Sequence, residues 1–373
     1  MSIGKVTIVQ DNNASGGITA IERKSLWIGI GGASALSDQI HAINATSDLD
    51  AILGAEESDL KANIEAAILN SGQNFTAYVI AITQAGAYTW DQALEFALDN
   101  PNDLDVEMIV LTDPITTVQD VEDINAACVS ALATFGKYIA AHVALPSIAV
   151  DESWSTYLSA TKALQQGVVA KRVCLVPQIH GNNLGVVVGR LNNDGVSIAD
   201  TPMRVATGAV VGLGAAPVDV NDLALTMAHL QDLADNRLSV PQTYTGIDGT
   251  YWANHSTLDA AGGDFQFYEN LRVIDYVCRR IYVKLVQKIA DRSLNNSASS
   301  IAYHQDYFME PIYLAAKGAV INGQPKPGMV QQPEDGDIVL NINEQEEVEM
   351  WIMAAPIGAP KKITAHISLD LTR

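Results

Sequence analysis

The stretch from residue 106 to residue 144 decides the fold. Residues 106–111 read VEMIVL and residues 137–144 read KYIAAHVA, two short apolar runs that are typical of buried strands. Between them, residues 117–134 read TVQDVEDINAACVSALAT, a predicted helix that Thr117 opens with Asp120 three residues later, as in a capping box. A strand, a helix and a second strand in this order predict a βαβ unit, and with it an α/β fold with a parallel or mixed sheet.

The same alternation extends to both sides of this stretch. Strands are predicted at residues 25–30, 75–83 and 172–176, and helices at residues 60–69, 154–165, 202–213 and 220–236. The longest predicted helix covers residues 265–292. Its apolar side chains recur at spacings of three and four and predict one continuous stripe, made by Phe267, Leu271, Ile274, Cys278, Ile281, Leu285 and Ile289.

Each end of the chain carries a β-like segment behind a linker. Residues 5–9 read KVTIV ahead of a turn-rich stretch, and residues 363–371 read ITAHISLDL with every odd position apolar, after the hinge-like PIGAP of residues 356–360. A tethered strand leaves its backbone unpaired until it finds a sheet edge. From the pattern alone, such an arm can pair within its own domain or add a strand to the sheet of another subunit. The predicted contact residues are Val6, Ile8, Ile363, Ile367, Leu369 and Leu371.

Composition restricts the classes of partner. The 373-residue chain has a formal net charge of −21, which repels nucleic acid and anionic lipid, and its 48% hydrophobic content predicts a packed interior. Cys128, Cys174 and Cys278 lie far apart with no CxxC pair, so neither a zinc site nor a disulfide framework is predicted. No signal peptide and no apolar run long enough to span a bilayer are recognisable.

Residue patterns that could support catalysis are incomplete. The GIGGAS stretch at residues 29–34 follows a strand but lacks the third glycine of a dinucleotide loop, so a tight turn is favoured. Gly208, Gly212 and Gly214 are interpreted as helix-packing glycines. Residues 254–259, NHSTLD, contain the residue types of a hydrolase triad but favour a polar loop. No catalytic residue, metal site or cofactor is predicted; the open alternative is a nucleotide-binding α/β enzyme with a ligand cradle near Gly31 or at residues 111–114.

The predicted long helix carries a row of basic residues. Arg280, Lys284, Lys288 and Arg292 are spaced by four and would form one ridge on its surface. In a chain with only 22 basic residues, the ridge is predicted to contact an acidic partner surface. A solvated face near a helix C-terminus is the alternative.

Three stretches carry a family resemblance. Residues 244–247 (YTGI), 251–259 (YWANHSTLD) and 271–281 (LRVIDYVCRRI) resemble the C-terminal core of contractile phage tail sheath proteins, where a Trp-containing loop precedes a long helix rich in Arg and aliphatic residues. The resemblance is strongest over residues 244–313. The loop reads Trp-Ala-Asn-His-Ser-Thr in place of the commoner Trp-Gly-Ala/Asn-Arg-Thr, which indicates a divergent branch.

The resemblance implies a tail-sheath-like mixed α/β core with a βαβ-containing middle subdomain and extended N- and C-terminal arms. The implied division is an N-terminal arm and linker (1–20), the N-terminal part of the core (21–100), the middle subdomain (101–240), the conserved C-terminal core (241–355) and a C-terminal arm (356–373).

The resemblance also implies a structural rather than catalytic role. Sheath subunits form stacked hexameric rings around a tail tube and contract to drive the tube through a target envelope. The implied partners are other copies of the chain, the tube protein, and baseplate and tail terminator proteins, without nucleic acid or membrane insertion. The implied location is the virion tail, or a phage-tail-like particle, after synthesis in the bacterial cytoplasm. Another tail protein is the remaining alternative, but the long helix disfavours a tube protein and the lack of repeats disfavours a fibre.

Overall fold

A six-stranded sheet forms the centre of the protein. The structure, a computed structural model, describes residues 21–72, 74–83, 88–321, 323–342 and 347–366. The sheet has the order β2-β3-β1-β4-β5-β6; β2 is antiparallel at one edge and the other five strands are parallel. The strands are β1 (Ser25–Ile30), β2 (His41–Asn44), β3 (Thr76–Ile82), β4 (Met108–Leu111), β5 (Ala140–Leu145) and β6 (Val173–Pro177). The predicted βαβ unit is confirmed, and the sheet, predicted as parallel or mixed, is mixed.

Helices cover both faces of this sheet, which is why its strands read as continuous apolar runs. The helices are α1 (Leu49–Leu53), α2 (Asp59–Ser71), α3 (Trp90–Leu98), α4 (Val118–Phe135), α5 (Trp154–Ala163), α6 (Asn183–Asn192) and α7 (Met227–Asp235). One buried cluster joins α1, α2 and α6 to one face, and a second joins α3, α4, α5 and α7 to the other. The capping box of Thr117 and Asp120 opens α4 as predicted.

A second, smaller core lies in the C-terminal part. It is built from α8 (Tyr268–Val286), α9 (Ala298–Ala316) and the antiparallel pair β11 (Ile338–Ile342) and β12 (Val348–Ile352). Two further hairpins belong to this half: β7 (Pro241–Tyr244) with β8 (Ile247–Trp252), and β9 (Ala319–Ile321) with β10 (Gln324–Lys326).

Several predicted helix limits are wrong. Residues 202–213 form an irregular loop with one 3₁₀ turn at Val205–Thr207, because Gly208 (φ 100°) and Gly212 (φ 71°) adopt backbone angles outside any right-handed helix. The interpretation of these glycines, and of Gly214, as helix-packing residues is therefore wrong. The helix predicted over 220–236 begins only at Met227, and the predicted helix over 265–292 is the shorter α8.

The predicted boundary between residues 100 and 101 falls inside the large sheet. Strand β1 lies between β3 and β4, so residues 21–100 and 101–240 contribute to one continuous sheet and not to two separate units. The other predicted boundaries stay predictions.

Candidate functional site

An apolar groove runs between α8 and the hairpin of β11 and β12. It has a volume of about 380 Å³ and continues into a second hollow of about 750 Å³ along the C-terminal end of α8. From α8 the groove is bordered by Ile274, Cys278, Ile281, Tyr282 and Leu285, and from the hairpin side by Val348, Met350, Ile352 and Ala354. Tyr282 is 50% exposed and Leu285 39%, so the apolar lining is open to solvent within the described chain.

The outer edge of β12 borders this groove without a strand partner among the described residues. The N–H of Met353 donates to the carbonyl of Asp337 at 2.8 Å, so residue 353 faces β11. Because backbone groups alternate in direction along an antiparallel pair, the N–H groups of Val348 and Met350 point away from β11. The groove therefore combines an apolar floor with main-chain donors and acceptors that have no partner among the described residues.

The predicted apolar stripe of the long helix lies partly in this groove. Leu271 and Ile281 are buried, but Ile274 and Cys278 are half-buried and Leu285 is exposed. Ile289, the last member, is 74% exposed and lies beyond the end of α8 at Val286. The residues of the stripe therefore lie partly in the core and partly on the surface.

The predicted basic ridge is largely neutralised by acidic residues of the same chain. Arg280 donates to Glu22 at 2.8 Å, Lys284 pairs with Glu310, and Lys288 pairs with Asp291 at 2.7 Å. Lys288 and Arg292 also lie past the end of α8, so the four residues do not form one helical ridge. The exposed Arg292 has no ion pair with the described residues. An acidic partner for this surface stays a prediction.

The predicted arm residues fall mostly outside the described chain. Val6, Ile8, Ile367, Leu369 and Leu371 are not among the described residues. Ile363 is described and is 82% exposed, in a segment with no strand assignment. Their contacts stay predictions.

The opposite face of α8 buries charged residues, which sequence reasoning missed. Arg272 donates to both carboxylate oxygens of Glu107 (2.6 and 2.8 Å), and Arg172 donates to both oxygens of Asp275 (2.9 and 3.1 Å). All four side chains are no more than 8% exposed. Burial alone would raise the pKa of Glu107, but Arg272 outweighs it and the pKa is lowered. These pairs attach α8 to the residues that precede β4 and β6.

The Trp252 loop is held by a buried hydrogen-bond chain. The Trp252 indole donates to Ser239 Oγ (2.8 Å), which contacts His255 Nδ1 (2.6 Å), and His255 Nε2 contacts His142 Nδ1 (2.9 Å). Burial, with smaller effects of Lys361 and Arg272, lowers the pKa of His255 to about 3, so the ring is neutral. His142, His255 and Cys174 are all buried, and the nitrogen and sulfur atoms with which they could bind a metal lie within 4.8 Å of one another. Because the two imidazoles bond to each other, they stabilise the core as a hydrogen-bonded pair.

Carboxylates of the same chain occupy hydrogen-bond donors at the turn after β1. The N–H of Ile30 donates to Asp113, and both the N–H and the hydroxyl of Ser34 donate to Glu56. Carboxylates of the chain itself thus occupy backbone donors that a nucleotide phosphate would need, and they would repel it. The favoured interpretation of residues 29–34 as a tight turn agrees with these contacts. Within residues 254–259, Asn254 donates to Ser256 and the N–H of Asp259 to Thr257, whereas His255 contacts Ser239 and His142 outside the stretch.

Comparisons with known proteins agree with this architecture. The model of the N-terminal domain of DUF2586 matches residues 3–256, and the model of its C-terminal domain matches residues 264–372. A protein of Haemophilus phage HP1 (strain HP1c1) named "Putative tail sheath protein" is 39% identical over 367 residues, covering 96% of both chains. This chain belongs to the DUF2586 family of tail sheath proteins.

Solved sheath structures share the fold of this DUF2586 sheath protein. The sheath complex of an extracellular contractile injection system, PVC, in its contracted state has a TM-score of 0.60 at 14% identity, covering 100% of this chain and 98% of the other. The sheath tail protein of Listeria innocua has a TM-score of 0.57 at 9% identity, covering 91% and 93%. The predicted tail-sheath-like α/β fold, the family and the non-enzymatic class are confirmed.

In the described part of the chain, every helix is too short or too polar to cross a bilayer.

Proposed function

We propose that this protein polymerises as stacked hexameric rings around a tail tube, and that its subunits are joined by strands exchanged between neighbours. The observation that supports this most directly is the outer edge of β12, which has no partner strand in the described part of the chain and lies beside the apolar groove of α8. A strand added there would gain main-chain hydrogen bonds from β12 and bury apolar side chains against α8. Contraction of such a sleeve would drive the tube through a target envelope.

We propose the C-terminal arm of a neighbouring copy as the occupant of the groove. Residues 363–371 alternate strictly, so Ile363, Ile367, Leu369 and Leu371 would face α8 while the polar residues face solvent. A strand paired along the five residues of β12 would gain main-chain hydrogen bonds, and each bond would contribute about 1 kcal/mol net. The N-terminal segment, with Val6 and Ile8, is proposed to pair at a further sheet edge in the same way.

The base of the chain's own arm and the far end of the groove lie near opposite ends of α8. Lys361 contacts Glu269 in the first turn of α8, whereas Leu285 of the groove lies sixteen residues further along the helix. At 1.5 Å per residue this separates the two points by about 24 Å.

The remaining partners follow from the sheath architecture. We propose contacts with a tube protein and, at the two ends of the sleeve, with baseplate and terminator proteins. Arg280, Lys284, Lys288 and Arg292 stay the proposed contact for an acidic tube or neighbour; the first three also pair within the chain, with Glu22, Glu310 and Asp291. The proposed location is a virion tail or phage-tail-like particle assembled in the bacterial cytoplasm.

Arm variants test the donor strand. The concentrated full-length protein should form striated tubes or rings by negative-stain microscopy, and deletion of residues 1–9 or 363–373 should leave a folded subunit that does not polymerise. Ile367→Asp should also abolish assembly because it places a charge against α8, whereas Ser368→Asp, on the solvent face, should assemble. Tubes from either deletion, or from Ile367→Asp, would refute the role of that arm.

A proline pair tests the acceptor strand. Val348→Pro removes an N–H that points away from β11, so the subunit should fold normally but assemble poorly. Glu349→Pro removes an N–H directed at β11 and should instead destabilise the subunit itself. Normal tubes from Val348→Pro would exclude the β12 edge as the acceptor.

A further inference from the structure

Helix α8 buries four charged residues along one face. Glu269, Arg272, Asp275 and Arg279 follow one another at spacings of three, three and four, and each is at most 8% exposed. Side chains of this kind are rarely buried unless they are paired. Here each has an oppositely charged partner elsewhere in the chain.

The first described residues of the chain are bound by Arg279, the last member of that row, and by its neighbour Arg280. Glu22 accepts hydrogen bonds from Arg279 (3.2 Å) and Arg280 (2.8 Å) with only 7% of its side chain exposed. The next residue, Arg23, donates its N–H to Glu107 (2.6 Å) and its guanidinium to the carbonyl of Val196. The residues that follow the N-terminal arm are therefore tied to the C-terminal half of α8.

The base of the C-terminal arm is held by the first member of the same row. Lys361 pairs with Glu269 at 2.5 Å, hydrogen-bonds to Asn254 and lies 3.6 Å from the centre of the Phe267 ring. Burial lowers the pKa of Lys361, and Glu269 opposes that effect. Lys361 lies near the start of the predicted C-terminal arm (356–373), so the start of that arm is tied to the first turn of α8.

The middle of α8 is locked to the large sheet between these two points. The pairs of Arg272 with Glu107 and of Asp275 with Arg172 lie between Glu269 and Arg279 in sequence. The helix cannot shift along its axis without breaking two buried bidentate pairs. Glu269 and Arg279 are ten residues apart, which is about 15 Å of helix.

We propose that α8 is the connector that holds the bases of the two arms at a constant separation and orientation, with Glu22 and Lys361 as its positioning residues. This inference rests on the proposed arm exchange. In a sheath joined by arms, a pull on one arm would pass through Glu22 to α8 and leave through Lys361, while the pairs of Arg272 and Asp275 brace α8 against the large sheet. The bases of the two arms would then move together with α8 and the body as one unit.

Pulling on the two ends of the full-length subunit tests the connector without requiring assembly. In an optical trap, Glu22→Gln and Lys361→Met should each raise the rate of the first opening event at constant force at least about tenfold, because each removes a buried charge pair. Lys326→Met is the matched control: it removes a lysine, 9% exposed and paired with Asp200 at 2.6 Å, that contacts neither arm base. Opening of Glu22→Gln and Lys361→Met at the wild-type rate would overturn the proposal.

Tubes provide a second readout that a general loss of stability would not produce. Glu22→Gln/Lys361→Met tubes should show a broader distribution of twist between rings than wild-type and Lys326→Met tubes in cryo-electron micrographs. An unchanged twist distribution would contradict the connector role. A wild-type protein that forms no tubes would contradict the proposed function, while the force measurement would still decide the connector role.

Discussion

Replacement of Arg272 by Met probes how α8 is attached to the sheet. The guanidinium makes two bonds to Glu107, at 2.6 and 2.8 Å, and a third to the carbonyl of Leu191 at 3.0 Å. Both charged side chains are almost fully buried, at 2% and 3% exposure. After the substitution, Glu107 keeps the N–H of Arg23 as a partner but loses its neutralising charge.

The expected loss of unfolding free energy is about 3–5 kcal/mol, the range for removing one partner of a buried ion pair. That is a large fraction of the 5–15 kcal/mol typical of a folded protein. The cost arises from the carboxylate left in a site that water does not reach, more than from the lost attraction. Removing both charges with Glu107→Leu/Arg272→Met should therefore recover much of the loss.

Urea unfolding of the unassembled full-length protein, followed by tryptophan fluorescence, measures these differences. Lys162→Met provides the control because its pair with Asp232 is 30% and 39% exposed and should contribute at most about 1 kcal/mol. A loss below about 1 kcal/mol for Arg272→Met, or a double variant that loses the sum of both single variants, would refute the argument.

Three further outcomes are expected. Gly185→Ala should destabilise the subunit by about 1–3 kcal/mol or more, because its Cβ would lie 1.9 Å from the Asn63 carbonyl oxygen, whereas Gly358→Ala meets nothing within 4 Å and should be neutral in the same urea assay. Burial would raise the pKa of Glu22, but Arg280 and Arg279 lower it from 4.5 to about 2, so its contribution of about 3 kcal/mol is complete above pH 4.5 and is lost as the pH falls towards 2. Glu22→Gln should lack that part of the acid transition; an unchanged transition would contradict the assigned ion pair. The pKa of His255 is lowered to about 3, so below pH 6.5 the unfolded chain takes up a proton that the folded chain excludes, and His255→Gln should make stability less dependent on pH between 6.5 and 3.

The large sheet could be predicted because its signals are local. The strand at Ser25–Ile30 matches β1 residue for residue, and the opening of α4 follows from its capping box. Helix α6 was missed because its sequence, NLGVVVGRLN, mixes glycines with valines that favour strands. Tertiary packing overrides that preference, since Gly185 allows α6 to approach the backbone of α2 closely.

The functional surface was predictable only in part. Strict alternation marks a donor strand in the sequence of residues 363–371, but an acceptor edge exists only after folding. Whether α8 presents its apolar stripe to a core or to a groove depends on where the hairpin of β11 and β12 packs. The buried charge pairs are equally non-local: Arg272 and Glu107 are 165 residues apart in sequence. No helical or strand period connects two such positions.

Helix α8 departs in part from the usual arrangement of an amphipathic helix: it buries apolar residues such as Val277 and Ile281 in the C-terminal core, but it buries charged residues as well. A typical helix packs apolar residues against the body and turns charged residues to water. Here charged residues such as Arg272 and Asp275 are buried against the large sheet, and apolar residues such as Tyr282 and Leu285 line an open groove. Directional ion pairs determine the position of the helix more strictly than apolar contacts can, because they require matched geometry. The same attachment leaves the apolar face available for the strand of a neighbour, so the buried charges and the exposed groove are two consequences of one packing arrangement.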